Sequence, residues 1–285
     1  MRFVNNMKTA MLLGSLMGLC MLIGHWFLGP NGLIFGLLIG GMSNVIAFFF
    51  SDKIALASMG GRQIQRQEMP GLFDMVEQLC LRANLPMPRI YVCPQDAPNA
   101  FATGRSPNHA AIAITRGMLN NFPDHEIEGV IAHELAHIKH RDMLISTLAA
   151  IMAGLISYAG WMLLWFGGGG DRRDSNPLGA IGMILLLVLA PVAAGLIQLA
   201  ISRSREYAAD AAGGEYCGNP RKLAAALQRL QHANERIPTR TPPAFHNLYI
   251  VEPFTAKDMR ALGSTHPPVE KRVAALLEQA QRMGM

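Results

Sequence analysis

Charge is scarce in this chain. Only 16% of its 285 residues are Asp, Glu, Lys or Arg, while 51% are hydrophobic and the mean hydropathy is +0.22. A typical soluble domain is about 25% charged, so the composition points to a protein that is part membrane and part aqueous. Cysteine is sparse as well. Cys20, Cys80, Cys93 and Cys217 are scattered and form no C-x-x-C pair, which argues for reduced, structural thiols in a cytosol-facing domain. The formal net charge is +5, yet no basic stripe is interleaved with aromatics. No nucleic-acid partner is expected, and membrane topology explains the basic residues more simply. The glycine run at 167–170 lacks a G-K-[ST] ending and lies between apolar runs, so it is not a phosphate loop.

The chain does have long apolar runs. One extends from about 8 to 28 and a second from about 33 to 50, with a tight turn at Gly29-Pro30-Asn31-Gly32 between them. Two more cover about 143–166 and 178–201. Each approaches or exceeds the ~20 residues needed to cross a bilayer. No A-x-A-like cleavage site follows the first run, and a second span comes almost at once, so a signal peptide is not expected. Leu19 before Cys20 argues against a lipoprotein anchor. Arg2 and Lys8 precede the first run, and Lys53, Arg62 and Arg66 follow the second. The positive-inside rule then puts both ends of this hairpin in the cytosol. The expected organisation is a membrane hairpin at 1–50, a cytosolic part at 51–142, a second hydrophobic hairpin at 143–201, and a cytosolic C-terminal part at 202–285. A buried soluble hairpin is the alternative for 143–201.

Between the hairpins, an amphipathic helix is predicted around 69–83, with Leu72, Met75, Val76, Leu79 and Leu81 at helical spacing. Strands are predicted at 89–93, 99–104 and 110–115. A helix then starts at Pro123, with Asp124, Glu126 and Glu128 in its first turns. It carries Val130-Ile131-Ala132-His133-Glu134-Leu135-Ala136-His137-Ile138, an H-E-x-x-H motif in an apolar setting. Histidines four apart share a helix face and can reach one metal ion together. Glu134 points about 100° around the helix and can touch a metal-held water without being a ligand. This is the geometry of a zinc peptidase.

Such a site needs a third protein ligand. His140 lies one turn further along the same helix, but three ligands on one straight helix rarely converge. The metzincin pattern fails, because its required positions hold His140 and Met143. The better candidate is Glu206, in Ser202-Arg203-Ser204-Arg205-Glu206-Tyr207-Ala208-Ala209-Asp210. A hairpin at 143–201 would return the chain beside the H-E-x-x-H helix. Asp210, four residues on, is placed to orient His133 or His137 through the second ring nitrogen. A solvated acidic pair is the plain alternative.

With these residues in place, the sequence resembles the HtpX-type membrane zinc metalloproteases, relatives of the CAAX prenyl endopeptidases. The likeness runs through P-N-A-F-A-T-G at 98–104, A-A-I-A-I-T at 110–115, H-E-L-A-H-I-K-H-R-D at 133–142, S-R-E-Y-A-A-D at 204–210 and S-T-H-P-P at 264–268. It implies a multi-pass protein of the bacterial cytoplasmic (inner) membrane, with its catalytic domain facing the cytosol. It also implies one zinc ion per chain on His133, His137 and Glu206, with Glu134 as the base. The implied task is endopeptidase clearance of misfolded or damaged membrane proteins under stress. The expected fold is mainly α with a small β-sheet: a zincin-like, gluzincin-type domain on four spanning helices.

Further residues carry weaker signals. The 110–115 strand could border the cleft and let a substrate strand add to it, with Ala111, Ile112 and Ala113 in contact, or it could be a core strand. Asn99 could bind substrate backbone or shape a turn. His266, before two prolines, could stabilise an oxyanion, cap the metal in a resting state, or do neither. Residues 237–251 could form a lid or a loop, and helices are predicted at 220–230 and 268–283. Three other functions remain open: prenyl-protein processing, a zinc-stabilised scaffold without catalysis, and a transporter. The scaffold has no use for Glu134. The transporter should hold ionisable groups near the midplane, and the one candidate, His25, lies near a span end.

Overall fold

The computed structural model describes residues 2–152, 203–237, 248–251 and 267–285. The chain opens with two long helices, α1 (Arg2–Leu28) and α2 (Pro30–Ser58). They fold back on each other through Gly29, whose φ of 62° is left-handed backbone that suits glycine. The expected four-residue turn is thus one residue, because Pro30 already starts α2. Gly32, Gly36 and Gly40 are buried one turn apart on α2. A side chain at Gly32 would overlap the Gly24 carbonyl, and one at Gly36 would overlap Cys20. Asn44 donates across the pair to the Leu13 carbonyl at 2.9 Å. Such small-residue stripes let helix backbones approach closely. Gly36→Leu should push the helices apart and cost about 1–3 kcal/mol. Thermal unfolding in detergent checks this, and an unchanged midpoint would contradict the packing.

The outer surface of α2 is apolar, with Ile34, Phe35, Leu38, Ile39, Met42 and Val45 exposed. Among the described residues, α2 is the one helix long and apolar enough to cross a membrane by length and composition. It runs eight residues past the predicted span end, and Asp52 in this extension pairs with Arg89 at 2.5 Å. Most of the third apolar run, the loop at 167–177 and all of the fourth run lie outside the described residues, as do 238–247 and His266.

The aqueous part is mainly helical with a four-stranded mixed sheet. Its strands are β1 (Arg62–Gln63), β2 (Arg89–Cys93), β3 (Ala100–Gly104) and β4 (Ala110–Thr115), in the order β1-β2-β4-β3. β2 and β4 are parallel, with Ile90 opposite Ile112, and β3 is antiparallel to β4, with Ala102 opposite Ile112. The short β1 has no signal in the sequence. Alternation sends Ala110, Ile112 and Ile114 to the main core and Ala111 and Ala113 to a second core. That second core also holds Ala55, Leu56 and Met59 from the end of α2, and Leu248 and Tyr249.

The main core receives α3 (Pro70–Ala83) through Leu72, Val76, Leu79, Cys80 and Ala83. Leu81, expected on this face, is 76% exposed, and Cys80 takes its place. A short helix, α4 (Arg116–Asn121), leads into α5 (Asp124–His140). Pro123 caps α5, acidic residues sit in its first turn, and Arg141 ends it in the left-handed region. Val130, Ile131, Ala132, Leu135 and Ala136 are fully buried, so α5 is the central helix. Beyond Asp142, α6 (Met143–Met152) packs on α1 and α2 through Leu144, Ile145, Leu148 and Met152. The remaining helices are α7 (Arg203–Tyr216), α8 (Pro220–Arg236) and α9 (Val269–Arg282). α8 buries Leu223, Ala226, Leu227 and Leu230 as its spacing predicts.

Candidate metal centre

His133 and His137 lie one turn apart on α5, with their Nε2 atoms 3.1 Å from each other. α7 brings Glu206 over them. Its Oε1 is 3.6 Å from His137 Nε2 and its Oε2 is 3.8 Å from His133 Nε2. Gly213 on α7 touches the His133 backbone, and a Cβ there would lie 2.9 Å from the His133 nitrogen. Glycine thus permits the close helix approach that seats Glu206. A tetrahedral ion bound at about 2.0–2.1 Å spaces its ligand atoms about 3.3 Å apart. The observed separations frame a space of that size. Among the described residues this is the one such cluster. His140 is not in it.

The outer ring nitrogens face carboxylates. His133 Nδ1 lies 2.9 Å from Asp210 Oδ1. His137 Nδ1 meets Asp142 Oδ2 at 3.2 Å. The structure sets Asp210 beside His133 and Asp142 beside His137, a pairing that the sequence left open. Carboxylates placed this way turn the Nε2 atoms inward. Asp142 could have been suspected from its place at the end of α5, but only the left-handed turn at Arg141 brings it back to His137.

Arg272 is the larger surprise. It is fully buried. Its Nε and Nη2 donate to the two oxygens of Asp210 at 2.8 and 2.7 Å, and its Nη1 donates to the Ile250 carbonyl at 2.9 Å. Its Nη1 also lies 3.7 Å from Glu206 Oε2. Burial would raise the Asp210 pKa, but the Arg272 charge and hydrogen bonds, with His133, hold it at about 2. A signal did exist: Arg272 sits on the same stripe of α9 as Val269, Val273, Leu276 and Ala280, where a cation must find a partner.

Glu134 is 5% exposed and stands apart from the three-residue cluster. Its Oε2 accepts a hydrogen bond from the Ala102 N–H at 2.7 Å. Burial pushes its pKa up, against the opposing effects of the two histidines and the Ala102 bond. The cleft in front of it is lined by Phe101, Ala102, Ser146, Arg205, Tyr249 and Ile250, among others.

Ala111, Ile112 and Ala113 do not border this cleft. β4 is paired on both sides, by β2 and β3, and all six of its residues are buried. A strand with no free edge cannot accept a further one. Of the two edge strands, β1 and β3, it is β3 that faces the cleft, and the Ala102 N–H on its free side points at Glu134. Asn99 also has a different task. It is 1% exposed, its Nδ2 donates to the Leu248 carbonyl at 3.4 Å, and its Oδ1 accepts from the Ile250 N–H at 3.2 Å. Its side-chain amide pins the 248–251 segment beside the cleft. Tyr207 lines a separate hollow between α7 and α9.

Two imidazoles and a carboxylate around one space, with a further glutamate beside them, define a metallopeptidase-type centre. A sequence model described as Peptidase family M48 matches residues 66–280. The chain belongs to peptidase family M48 and is a metalloprotease. It is 49% identical over 285 residues to "Protease HtpX homolog" of Nostoc punctiforme, covering 98% of both proteins. It is 45% identical over 285 residues to the protein of the same name from Thermococcus sibiricus, covering 98% of this chain and 97% of that one. Among solved structures it is similar in fold to "Crystal Structure of S. mikatae Ste24p", with a TM-score of 0.52 and 19% identity. That match covers 96% of this chain and 65% of the other.

Proposed function

We propose that this chain is an integral membrane zinc endopeptidase. The carrying observation is the convergence of His133, His137 and Glu206 from two helices, with their ligand atoms within 4.8 Å of one another. We assign these three as ligands of one zinc ion per chain, Asp210 and Asp142 as residues that orient the imidazoles, and Glu134 as the general base. Bound there, zinc supplies a Lewis acid that acidifies water and polarises a carbonyl. Glu134 takes the proton of the attacking water and passes it to the leaving amine. Its upward-shifted pKa suits a carboxyl that must hold that proton in between. The β3 edge offers main-chain groups to an extended substrate, and Leu248, Tyr249 and Ile250 wall the cleft.

The exposed apolar surface of α2 supports a bilayer setting. In the proposed arrangement the chain crosses the membrane four times, with membrane regions at 1–50 and 143–201 and cytosolic parts at 51–142 and 202–285. It places the protein in the bacterial inner membrane, cleaving misfolded or damaged membrane proteins during stress. The test is cleavage of an unfolded membrane protein by the purified full chain in detergent, zinc-loaded and chelated. Cleavage by the loaded protein alone is expected. Equal cleavage in both states would overturn the metal assignment, and activity only on prenylated C-terminal substrates would move the assignment to prenyl-protein processing.

Metal uptake should depend on pH. In the metal-free protein, burial would lower the His137 pKa, but the Asp142 hydrogen bond and the Glu206 and Glu134 charges prevail and raise it from 6.5 to about 9. An imidazole must lose its proton to bind metal. Apparent zinc affinity should therefore climb about tenfold per pH unit from 7 toward 9 and then flatten. The raised pKa also stabilises the metal-free fold below pH 6.5, and this contribution disappears as pH rises through about 9. Chelator competition and thermal melts of the metal-free protein read the two effects. A flat affinity profile would contradict the His137 environment.

A further inference from the structure

Arg205 precedes Glu206 on α7 and lines the same cleft as His133, Glu134 and Glu206. It is 7% exposed. Among the described residues its nearest carboxylate is Asp142, whose Oδ1 lies 3.8 Å from Arg205 Nε, while the other oxygen of Asp142 faces His137. Glu206, the other acidic neighbour, faces the two imidazoles and Arg272. The Nη1 of Arg205 is buried and has no hydrogen-bond partner among the described residues. A buried guanidinium with an unmade hydrogen bond is costly. Its cost is offset if a ligand completes it, and a guanidinium fork is matched by a planar carboxylate.

We propose that Arg205 is a specificity-determining residue that receives a carboxylate of the substrate beside the scissile bond. This rests on the peptidase reading of the site. The carboxylate comes from an acidic side chain within the polypeptide or from a free C-terminus, and the same guanidinium fits both. Arg205 thereby differs from Arg272, whose donors are already taken by Asp210 and Ile250.

The test uses the full chain in detergent with Glu134→Gln, so that peptides bind without turnover. Fluorescence anisotropy compares extended peptides in matched pairs. One series scans Glu against Gln at successive positions, and the other compares a free C-terminus with its amide. An acid preference of about 10- to 100-fold at one position is expected, as for a charged hydrogen bond. It should disappear with Arg205→Gln and survive in part with Arg205→Lys. A preference in the first series alone identifies an internal acidic side chain, and one in the second alone identifies the terminus. Equal affinity within every pair for the protein with Arg205 intact would overturn the proposal, whether or not the variants fold. The same pairs are then assayed for turnover with Glu134 restored. A uniform fall in kcat with Arg205→Gln across all peptides, with no change in any acid-to-amide ratio, would also overturn it. Acid-selective binding with no turnover of any peptide would sink the peptidase reading and leave the carboxylate site standing.

Discussion

Glu134→Gln should abolish peptide cleavage and leave the metal content unchanged. The two side chains have the same shape, and the glutamine oxygen can still accept the Ala102 N–H that Glu134 holds at 2.7 Å. Glu134 is not among the three residues whose ligand atoms converge, so its replacement leaves that cluster intact. The variant loses the ability to take up a proton. Positioned acid–base groups contribute about 10²–10⁴-fold to rate, and in the proposed mechanism one carboxylate serves both the water and the leaving amine. A loss of at least that order in kcat is expected, with stoichiometric zinc by elemental analysis. Cleavage at the parent rate would remove Glu134 from the mechanism. Loss of zinc along with activity would instead make Glu134 a ligand, which the geometry speaks against.

Arg272→Met should be the most destabilising single change considered. The substitution keeps a long side chain in the core but removes every donor. Asp210 then keeps a buried charge without its two guanidinium bonds, and the Ile250 carbonyl loses its partner. Breaking a buried pair from one side costs about 3–5 kcal/mol. Activity should fall too, because Asp210 faces His133 and the Ile250 segment walls the cleft. The sign of the pH effect follows from the depressed Asp210 pKa. In the parent, its contribution is present above 3.8 and is lost as pH falls through about 2. In the variant that contribution is absent. Combining Arg272→Met with Asp210→Asn should recover part of the loss, since the uncompensated charge is then gone. Denaturant unfolding of the parent, single and double variants measures this. A single variant as stable as the parent would show that α9 is not anchored through this pair.

Several features were legible because they are local. H-E-x-x-H on a helix depends only on helical pitch, so the pairing of His133 with His137 followed from spacing. The strands at Arg89–Cys93 and Ala110–Thr115 were bounded correctly, because short apolar β-favouring runs between turn residues have few other conformations. Leu81 misled the reading of α3, since helical spacing allows either flank of a stripe and only packing chooses between them. Glu206 was reachable through the idea of a returning hairpin together with the family likeness. Nothing in the neighbours of Arg205 along the chain reports its burial.

By itself, the sequence determined the mainly helical class, the central helix with its two histidines and glutamate, and the apolar first hairpin. These rest on periodicity and on contacts within a few residues. Tertiary structure decided the rest. Strand order placed β4 inside the sheet and left β3 as the edge facing Glu134. The left-handed turn at Arg141 gave Asp142 to His137. Arg272, 62 residues beyond Asp210, closes on it, and Asn99 holds a segment about 150 residues away. The last two are partnerships between buried polar groups far apart in the chain. Such groups must be paired wherever the fold brings them together, and the choice of partner is a property of the packed core.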